Sequence, residues 1–250
     1  VEMSMSELHK PEWYGEYAVI KNKYNDYVQV EYKCNGTGSL YDYDLFPGID
    51  LIFMDFNCSD IFHEPIPNKN IIEIRHYQKG RVEFELRNNK VFHMKEGEFC
   101  INALANIPAA YSFPFGYSVG LSCVIDKDSI DAKTKQIFSY YNIDVLNLGQ
   151  ELEIEKKWFL CRTPQRLLHI FDELYAAKGV EGKDYFRIKL LELFYHIKQL
   201  RIEDQYEATY YSKKQIEIIK RIRHQLIENL DKKISIEELL RKEPMSKATF

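Results

Sequence analysis

Apolar and polar residues alternate with a period of two between about residues 17 and 126, and turn-forming residues interrupt the alternation at short intervals. The stretches LIFMDFN from Leu51, VEFEL from Val82 and VGLSCVI from Val119 each place every second side chain on one apolar face. This alternation is typical of half-buried antiparallel strands, whereas strands of a parallel sheet are apolar on both faces. The sequence therefore predicts an antiparallel sandwich or barrel, a fold that often encloses a ligand cavity.

Turns are predicted at Lys79-Gly80, at Asn88-Asn89 and at Glu96-Gly97, because residues favoured in turns separate the apolar runs there. Inward-facing positions are expected to include Phe84, Phe99 and several tyrosines. Aromatic residues on strands are more often plain core than ligand contacts, so the sequence assigns no ligand-binding residue in the barrel.

Residues 127–202 show the spacing of helices instead. Thr163 is predicted to cap a helix with Pro164 at its first position, where proline needs no backbone donor. Asp184 is predicted to cap the next helix. The buried stripe of the first of these helices is Leu167, Ile170, Phe171 and Leu174.

The second helix carries apolar residues at spacings of four, three, four and three, namely Phe186, Leu190, Leu193, Ile197 and Leu200. This pattern indicates a helix packed lengthwise on another helix. The partner is either the preceding helix of the same chain or the same helix of a second subunit, because two heptads do not distinguish the two. In the second case these five residues form a dimerisation seam.

Residues 203–212 are polar and aperiodic, and they are predicted to form a linker. The next helix has an apolar stripe and an opposite basic face. The stripe is Ile216, Ile219, Ile222, Leu226 and Leu230, and the basic face holds Lys213, Lys220, Arg221 and His224. Residues 212–250 contain ten Lys or Arg and six Asp or Glu, a charge of +4 in a chain of net charge −4. Such a basic tail suggests an anionic partner such as nucleic acid, and an ordinary solvated helix face is the alternative.

The final stretch, DKKISIEELLRKEPMSKATF, first predicts a short amphipathic helix. Its apolar positions are Ile234, Ile236, Leu239 and Leu240. Pro244-Met245 is then predicted to form a tight turn, and Ser246 to cap a further helix of which only four residues are present. We therefore expect the chain to be part of a longer protein.

This region resembles the first half of the DNA-binding domain of AraC/XylS-type bacterial transcription regulators, in which a long helix precedes a helix-turn-helix. The residues at matching positions are Ile236, Glu238 (or Glu237), Leu239, Met245, Ser246 and Phe250. The stretches EIRHYQKGRVEFEL, EGEFCINAL and SFPFGYSVGLSCVID resemble strands of the family's cupin-like effector domain, and IKLLELFYHI resembles its helical connector. Leu240, Glu243 and Pro244 depart from the residues usual in the family.

The resemblance implies an α+β protein with four parts. These are an N-terminal antiparallel cupin-like β-barrel effector domain (1–126), a helical connector and dimerisation segment (127–202), a linker (203–212) and the start of an all-α helix-turn-helix domain (213–250). The implied function is a ligand-responsive transcription regulator that binds operator DNA as a homodimer and responds to a small-molecule effector of unknown identity. The alternative is a cupin-like small-molecule-binding protein or enzyme with an unrelated helical tail.

The resemblance also implies roles in DNA binding for four residues near the end of the chain. Ser246 would cap the recognition helix and contact phosphate, and Lys247 would meet the DNA backbone. Ala248 and Thr249 would reach base edges in the major groove. Most of the base-reading side chains are expected beyond Phe250.

The sequence gives little support to catalysis. It lacks the H-x-H pair with which metal-using cupins begin their ligand set, and it lacks a phosphate-binding glycine loop. We therefore expect no enzyme activity, no metal and no cofactor. Five dispersed cysteines and the absence of a signal-like start or a long apolar run favour a cytoplasmic protein.

Overall fold

The computed structural model describes residues 17–62, 70–86, 88–103, 108, 110–206, 209–231 and 233–241. The strands in these residues are β1 (Ala18–Lys23), β2 (Val28–Tyr32), β3 (Gly36–Phe46), β4 (Ile49–Cys58), β5 (Asp60–Phe62), β6 (Ile71–Glu85), β7 (Lys90–Lys95), β8 (Glu98–Ala103), β9 (Ala110–Ser112), β10 (Ser118–Asp126), β11 (Phe159–Arg162) and β12 (Tyr211–Ser212). The α-helices are α1 (Ala132–Tyr140), α2 (Gln165–Ala177), α3 (Lys183–Ile197), α4 (Lys213–Glu228) and α5 (Ile236–Leu240).

Strand β6 belongs to two sheets and joins them. Its first half pairs with β10 and β8, within a sheet of order β1-β2-β3-β4-β10-β6-β8-β11. Its second half pairs with β7 and β9, within a sheet of order β12-β7-β6-β9-β5. The strand pairs are antiparallel, and the sheets face each other as a curled half-barrel with helices after it. The predicted fold class is therefore confirmed.

Gly80 marks the point where β6 passes from one sheet to the other. Its φ is +87°, and a Cβ there would lie 2.5 Å from the Tyr117 carbonyl oxygen. Only glycine adopts this conformation without strain and leaves room for the neighbouring strand. The predicted turn at Lys79-Gly80 is thus wrong, because the glycine bends a continuous strand. The turns at Asn88-Asn89 and Glu96-Gly97 are confirmed.

Two apolar cores lie on the two faces of the larger sheet. The inner core fills the space between the sheets and includes Phe84, Phe92, Trp158 and Tyr111. The outer core lies between the larger sheet and helices α1 to α3. Phe99 belongs to this outer core, so its predicted inward position is wrong.

The five residues of the predicted α3 seam are buried in the outer core of a single chain. Phe186, Leu190 and Leu193 are 0% exposed, and Ile197 and Leu200 are 1% exposed. They pack against the sheet and α2, as in the ring contacts of Phe186 with Tyr43 and Phe53 at 4.7 and 5.7 Å. The stripe is therefore part of the core of the single chain, as the intramolecular alternative predicts.

The helix starts in the connector differ slightly from prediction. Pro164 is the N-cap residue of α2, one position later than the predicted cap at Thr163. Gly182 precedes α3, and Asp184 lies in its first turn, where a carboxylate favours the positive end of the helix dipole.

Parts of the predicted connector and linker are attached to the sheets. Strand β11 extends the larger sheet by pairing with β8, so residues 127–202 are not wholly helical. In the predicted linker, the Tyr206 amide donates to the Leu160 carbonyl at 3.1 Å. Tyr211 and Ser212 pair with β7 as β12. The chain is therefore hydrogen-bonded to the sheets at Tyr206 and again directly before α4.

Helices α4 and α5 share a small core formed by Ile218, Ile222 and Leu239. The predicted stripe of α4 is rotated, because Ile218 is buried while Ile219 and Leu226 are more than a third exposed. Both helices begin with a capping box, Ser212 with Gln215 in α4 and Ser235 with Glu238 in α5. The predicted short helix is thus confirmed as α5, while the turn predicted at Pro244-Met245 lies outside the described residues.

Candidate functional site

A charged and hydrogen-bonded cluster lies in the inner core between the two sheets. Arg75 Nε is 2.7 Å from Glu73 Oε1, and both residues project inward from β6. The Ser122 hydroxyl donates to the same carboxylate oxygen at 2.6 Å. Arg75 Nη2 donates to the Tyr111 hydroxyl at 2.8 Å, and its guanidinium also stacks 4.9 Å from the Tyr111 ring centroid. The ion pair is thus tied to strands of both sheets.

Asn102 adds an unsatisfied amide to this cluster. It is directly opposite Glu73 in the β6–β8 ladder and only 1% exposed. Neither its amide nitrogen nor its amide oxygen has a hydrogen-bond partner among the residues that the structure describes. Leaving a buried polar group unpaired costs about 1–3 kcal/mol. Both the NH2 group and the carbonyl oxygen of this amide therefore keep unused hydrogen-bonding capacity inside the barrel.

Arg75 stays protonated although it is buried. Burial acts to lower its pKa, but the Glu73 carboxylate together with Tyr111 and Tyr77 more than offsets this and leaves that pKa above its usual value. Burial raises the pKa of Tyr111 to about 12, so its hydroxyl stays protonated. Arg75 and Glu73 neutralise each other, and the cluster presents hydrogen bonds rather than a free charge.

A second polar cluster lies on the outer face of the smaller sheet, under helix α4. The Ser112 hydroxyl donates to Glu83 Oε2 at 3.1 Å, and Lys220 Nζ donates to Ser112 Oγ at 3.2 Å. Lys220 Nζ is also 3.0 Å from Glu83 Oε2. The Glu83 side chain is only 10% exposed, so this ion pair is partly shielded from water.

The start of α4 is attached to the same sheet. Lys213 Nζ donates to Glu85 Oε1 at 2.6 Å, and the Glu85 carboxylate raises the pKa of Lys213. The Lys213 amide donates to the Asn89 carbonyl at 2.9 Å, next to the β12–β7 ladder. In addition, the ring of Tyr211 stacks on His93 with centroids 5.9 Å apart.

The inner and outer clusters meet in β9. Tyr111 faces inward to Arg75, and the next residue, Ser112, faces outward to Glu83 and Lys220. Strand β6 provides the other connection, since Glu73 and Arg75 lie near one end and Glu83 near the other. Tyr111, which contacts the inner cluster, is therefore directly followed in the chain by a residue that contacts α4.

The predicted site residues fall into two groups. Ser246, Lys247, Ala248 and Thr249 lie outside the described residues. Lys213 and Lys220, predicted for the basic face of α4, are 44% and 51% exposed and also contact carboxylates of the barrel. No group of three His, Cys, Asp or Glu within the described ranges is arranged to hold a metal ion. Of the helices seen there, none has the length and apolar character needed to span a bilayer.

Sequence reasoning missed the inner cluster. Glu73 and Arg75 follow the period-two pattern of a strand with one polar face, and that pattern does not tell which face is enclosed. A useful signal was available in EIRHY, where two opposite charges two residues apart must share one side of the strand.

No protein-family model matches the chain, and no curated protein matches it. Among solved structures, the AraC-like transcriptional activator CuxR is similar over 98% of this chain and 81% of its own, at 10% identity and a TM-score of 0.39. ToxT from Vibrio cholerae O395 is similar over 80% of this chain and 73% of its own, at 9% identity and a TM-score of 0.37. A Cupin_2 domain of an XRE family regulator from Enterobacter cloacae covers 35% of this chain at 13% identity and a TM-score of 0.30. Because these TM-scores are below 0.5, the function is inferred from the chain's own residues.

Proposed function

We propose that this chain is a ligand-responsive, DNA-binding transcription regulator of the AraC type, with an effector-binding barrel and the first part of a helix-turn-helix domain. The observation that supports the proposal is that the inner and outer polar clusters are connected through adjacent residues of β9. A polar site enclosed between the sheets contacts β9 through Tyr111, and the adjacent Ser112 holds the basic helix α4. A protein that converts ligand binding into a change at DNA needs such a connection between the two sites.

In this proposal the effector lies beside Arg75 and Asn102. The cluster supplies donors and acceptors without free charge, so the effector is a small polar molecule rather than a simple anion. Native mass spectrometry of the purified protein would detect a co-purified molecule of this kind. The Asn102→Leu variant should lose that molecule while remaining folded, because leucine is similar in size and removes the unpaired amide.

DNA binding involves the exposed cations of α4 and the residues after α5. Lys214 and Arg223 are exposed on α4 and suited to phosphate contacts. Ser246, Lys247, Ala248 and Thr249 supply the contacts at the start of the recognition helix in this proposal. The protein acts in the cytoplasm as a regulator rather than as an enzyme.

The DNA-binding part is tested by fluorescence anisotropy with a labelled DNA duplex over a series of salt concentrations. The logarithm of the affinity should fall linearly with the logarithm of salt, and Lys214→Gln with Arg223→Gln should reduce that slope by about 2. The matched control, Lys21→Gln with Lys156→Gln, removes the same charge from residues outside α4 and should leave the slope unchanged. Absence of salt-dependent binding would favour the small-molecule-binding alternative with an unrelated tail.

We also infer a homodimer, because helix-turn-helix proteins commonly bind two-fold operators. Its interface uses residues other than the buried stripe of α3. Sedimentation at micromolar concentration should give about twice the chain mass, and a single-chain mass would exclude the dimer.

A further inference from the structure

Two basic side chains of α4 are already occupied by carboxylates of the barrel. Lys213 is bonded to Glu85, and Lys220 to Glu83 and Ser112. These carboxylates lie on successive outward positions of β6, and α4 lies across them. Each lysine is thus paired with one carboxylate, and the Ser112 hydroxyl bridges Lys220 and Glu83.

The backbone around this contact holds α4 in place. The β12–β7 ladder and the hydrogen bond from the Lys213 amide to the Asn89 carbonyl fix the first turn of the helix. Lys220 lies two turns further on and reaches the sheet from there. The two lysines therefore contact the barrel together, and both are released from their carboxylates when α4 moves away from the sheet.

A carboxylate pair and a pair of DNA phosphates compete for the same lysines. Each phosphate contact by a lysine releases counterions and contributes about 0.9 to the salt dependence of binding. The Lys213 and Lys220 side chains are 44% and 51% exposed, but while Glu85 and Glu83 are bonded to them each lysine charge is already balanced by a carboxylate. The sheet thus acts on the helix as an anionic substitute for DNA.

We propose that the docked position of α4 is autoinhibitory: Glu83 and Glu85 sequester Lys220 and Lys213, and their release provides two further phosphate contacts. This inference rests on the proposed function and specifies how it is regulated. Ser112 is the point of control, because it bonds to both Glu83 and Lys220 and is adjacent to Tyr111 in the barrel interior.

The test compares the full 250-residue chain with its Glu83→Gln, Glu85→Gln double variant. Glutamine keeps the shape and an acceptor oxygen but removes the charge. Binding to a labelled DNA duplex should become tighter, and its slope against the logarithm of salt should steepen by about 1.8. The matched control is Glu31→Gln with Glu155→Gln, which makes the same change in net charge at exposed carboxylates paired with Lys21 and Lys127.

Amide hydrogen exchange at Lys213 gives a readout that needs no DNA. This amide should exchange faster in the double variant, because loss of the ion pairs allows the start of α4 to leave the sheet. Faster exchange together with a steeper slope supports the proposal. Equal slopes in the double variant, the control and the original chain would overturn autoinhibition and leave DNA binding intact. Faster exchange without DNA binding by any of the three would instead overturn the proposed function itself.

Discussion

The imidazole ring of His76 lies flat against the phenyl ring of Phe171, with centroids 4.2 Å apart and planes 8° apart. His76 is on the outer face of β6 and Phe171 is in α2, so the stack joins the larger sheet to a connector helix. Tyr175, also in α2, donates its hydroxyl proton to the His76 carbonyl at 3.0 Å. The histidine is therefore part of the packing between sheet and helices.

This position makes the stability of the fold depend on pH. Burial lowers the pKa of His76 from 6.5 to about 4. Between these values the unfolded chain binds a proton that the folded chain does not, so stability falls as pH falls through this window. Going from pH 7 to pH 5 should cost about 2 kcal/mol through this residue, measured by urea unfolding. In His76→Phe that contribution should vanish, whereas His224→Gln, at an exposed helix position, should retain it.

The inner ion pair should respond asymmetrically to substitution. Arg75→Met leaves the Glu73 carboxylate buried without its cation and should cost about 3–5 kcal/mol in the free energy of unfolding. Adding Glu73→Gln removes that buried charge and keeps an acceptor for Ser122, so the double variant should recover much of the loss. Chemical denaturation of both proteins measures the difference. Equal stability of the single and double variants would mean that the pair is not shielded from water.

Because the α3 stripe is buried, we expect a substitution in it to lower the stability of the fold without changing the oligomeric state. Leu193→Ala should reduce the free energy of unfolding by about 2–5 kcal/mol, because it opens a cavity in the outer core. Ile188→Ala, on the same helix but 64% exposed, should change it by no more than about 0.5 kcal/mol. Sedimentation of the folded Leu193→Ala variant should give the same mass as the original chain. A halved mass at unchanged stability would return the seam to the interface.

Gly80 provides a prediction about the bend in β6. Gly80→Ala should destabilise the protein by several kcal/mol, since the added methyl group would meet the Tyr117 carbonyl and the positive φ is also strained. Gly97→Ala is the matched control: its φ is +75°, but nothing lies within 4 Å of the added carbon. It should cost only about 1 kcal/mol. Thermal unfolding of the two variants would separate steric overlap from backbone strain.

Local patterns predicted the elements of this fold better than their contacts. The alternation of apolar residues predicted antiparallel strands, and Leu167, Ile170, Phe171 and Leu174 predicted the buried face of α2 correctly. The turn prediction at Lys79-Gly80 failed because glycine with positive φ occurs both in turns and at bends within strands.

The contacts of the candidate site could not be predicted from local patterns, because they join residues far apart in the chain. Lys213 and Glu85 are 128 residues apart in the chain, and no local period relates them. The rotation of the α4 stripe toward Ile218 likewise depends on packing against α5, which the helix alone does not specify. The partners of Arg75 and the enclosed position of Asn102 are set by the fold of the barrel and not by the adjacent sequence.

The pairing of β12 with β7 also determines where this barrel can be separated from helices α4 and α5. A chimera that joins the barrel to a different DNA-binding domain by a cut before Tyr211 would remove the two residues that pair with Lys90 and Val91 of β7. This lengthens the stretch of β7 edge with unpaired backbone groups, which recruit strands from other chains and promote aggregation. A junction placed after Ser212 keeps Lys90 and Val91 paired, so Tyr211 and Ser212 should be transferred with the barrel.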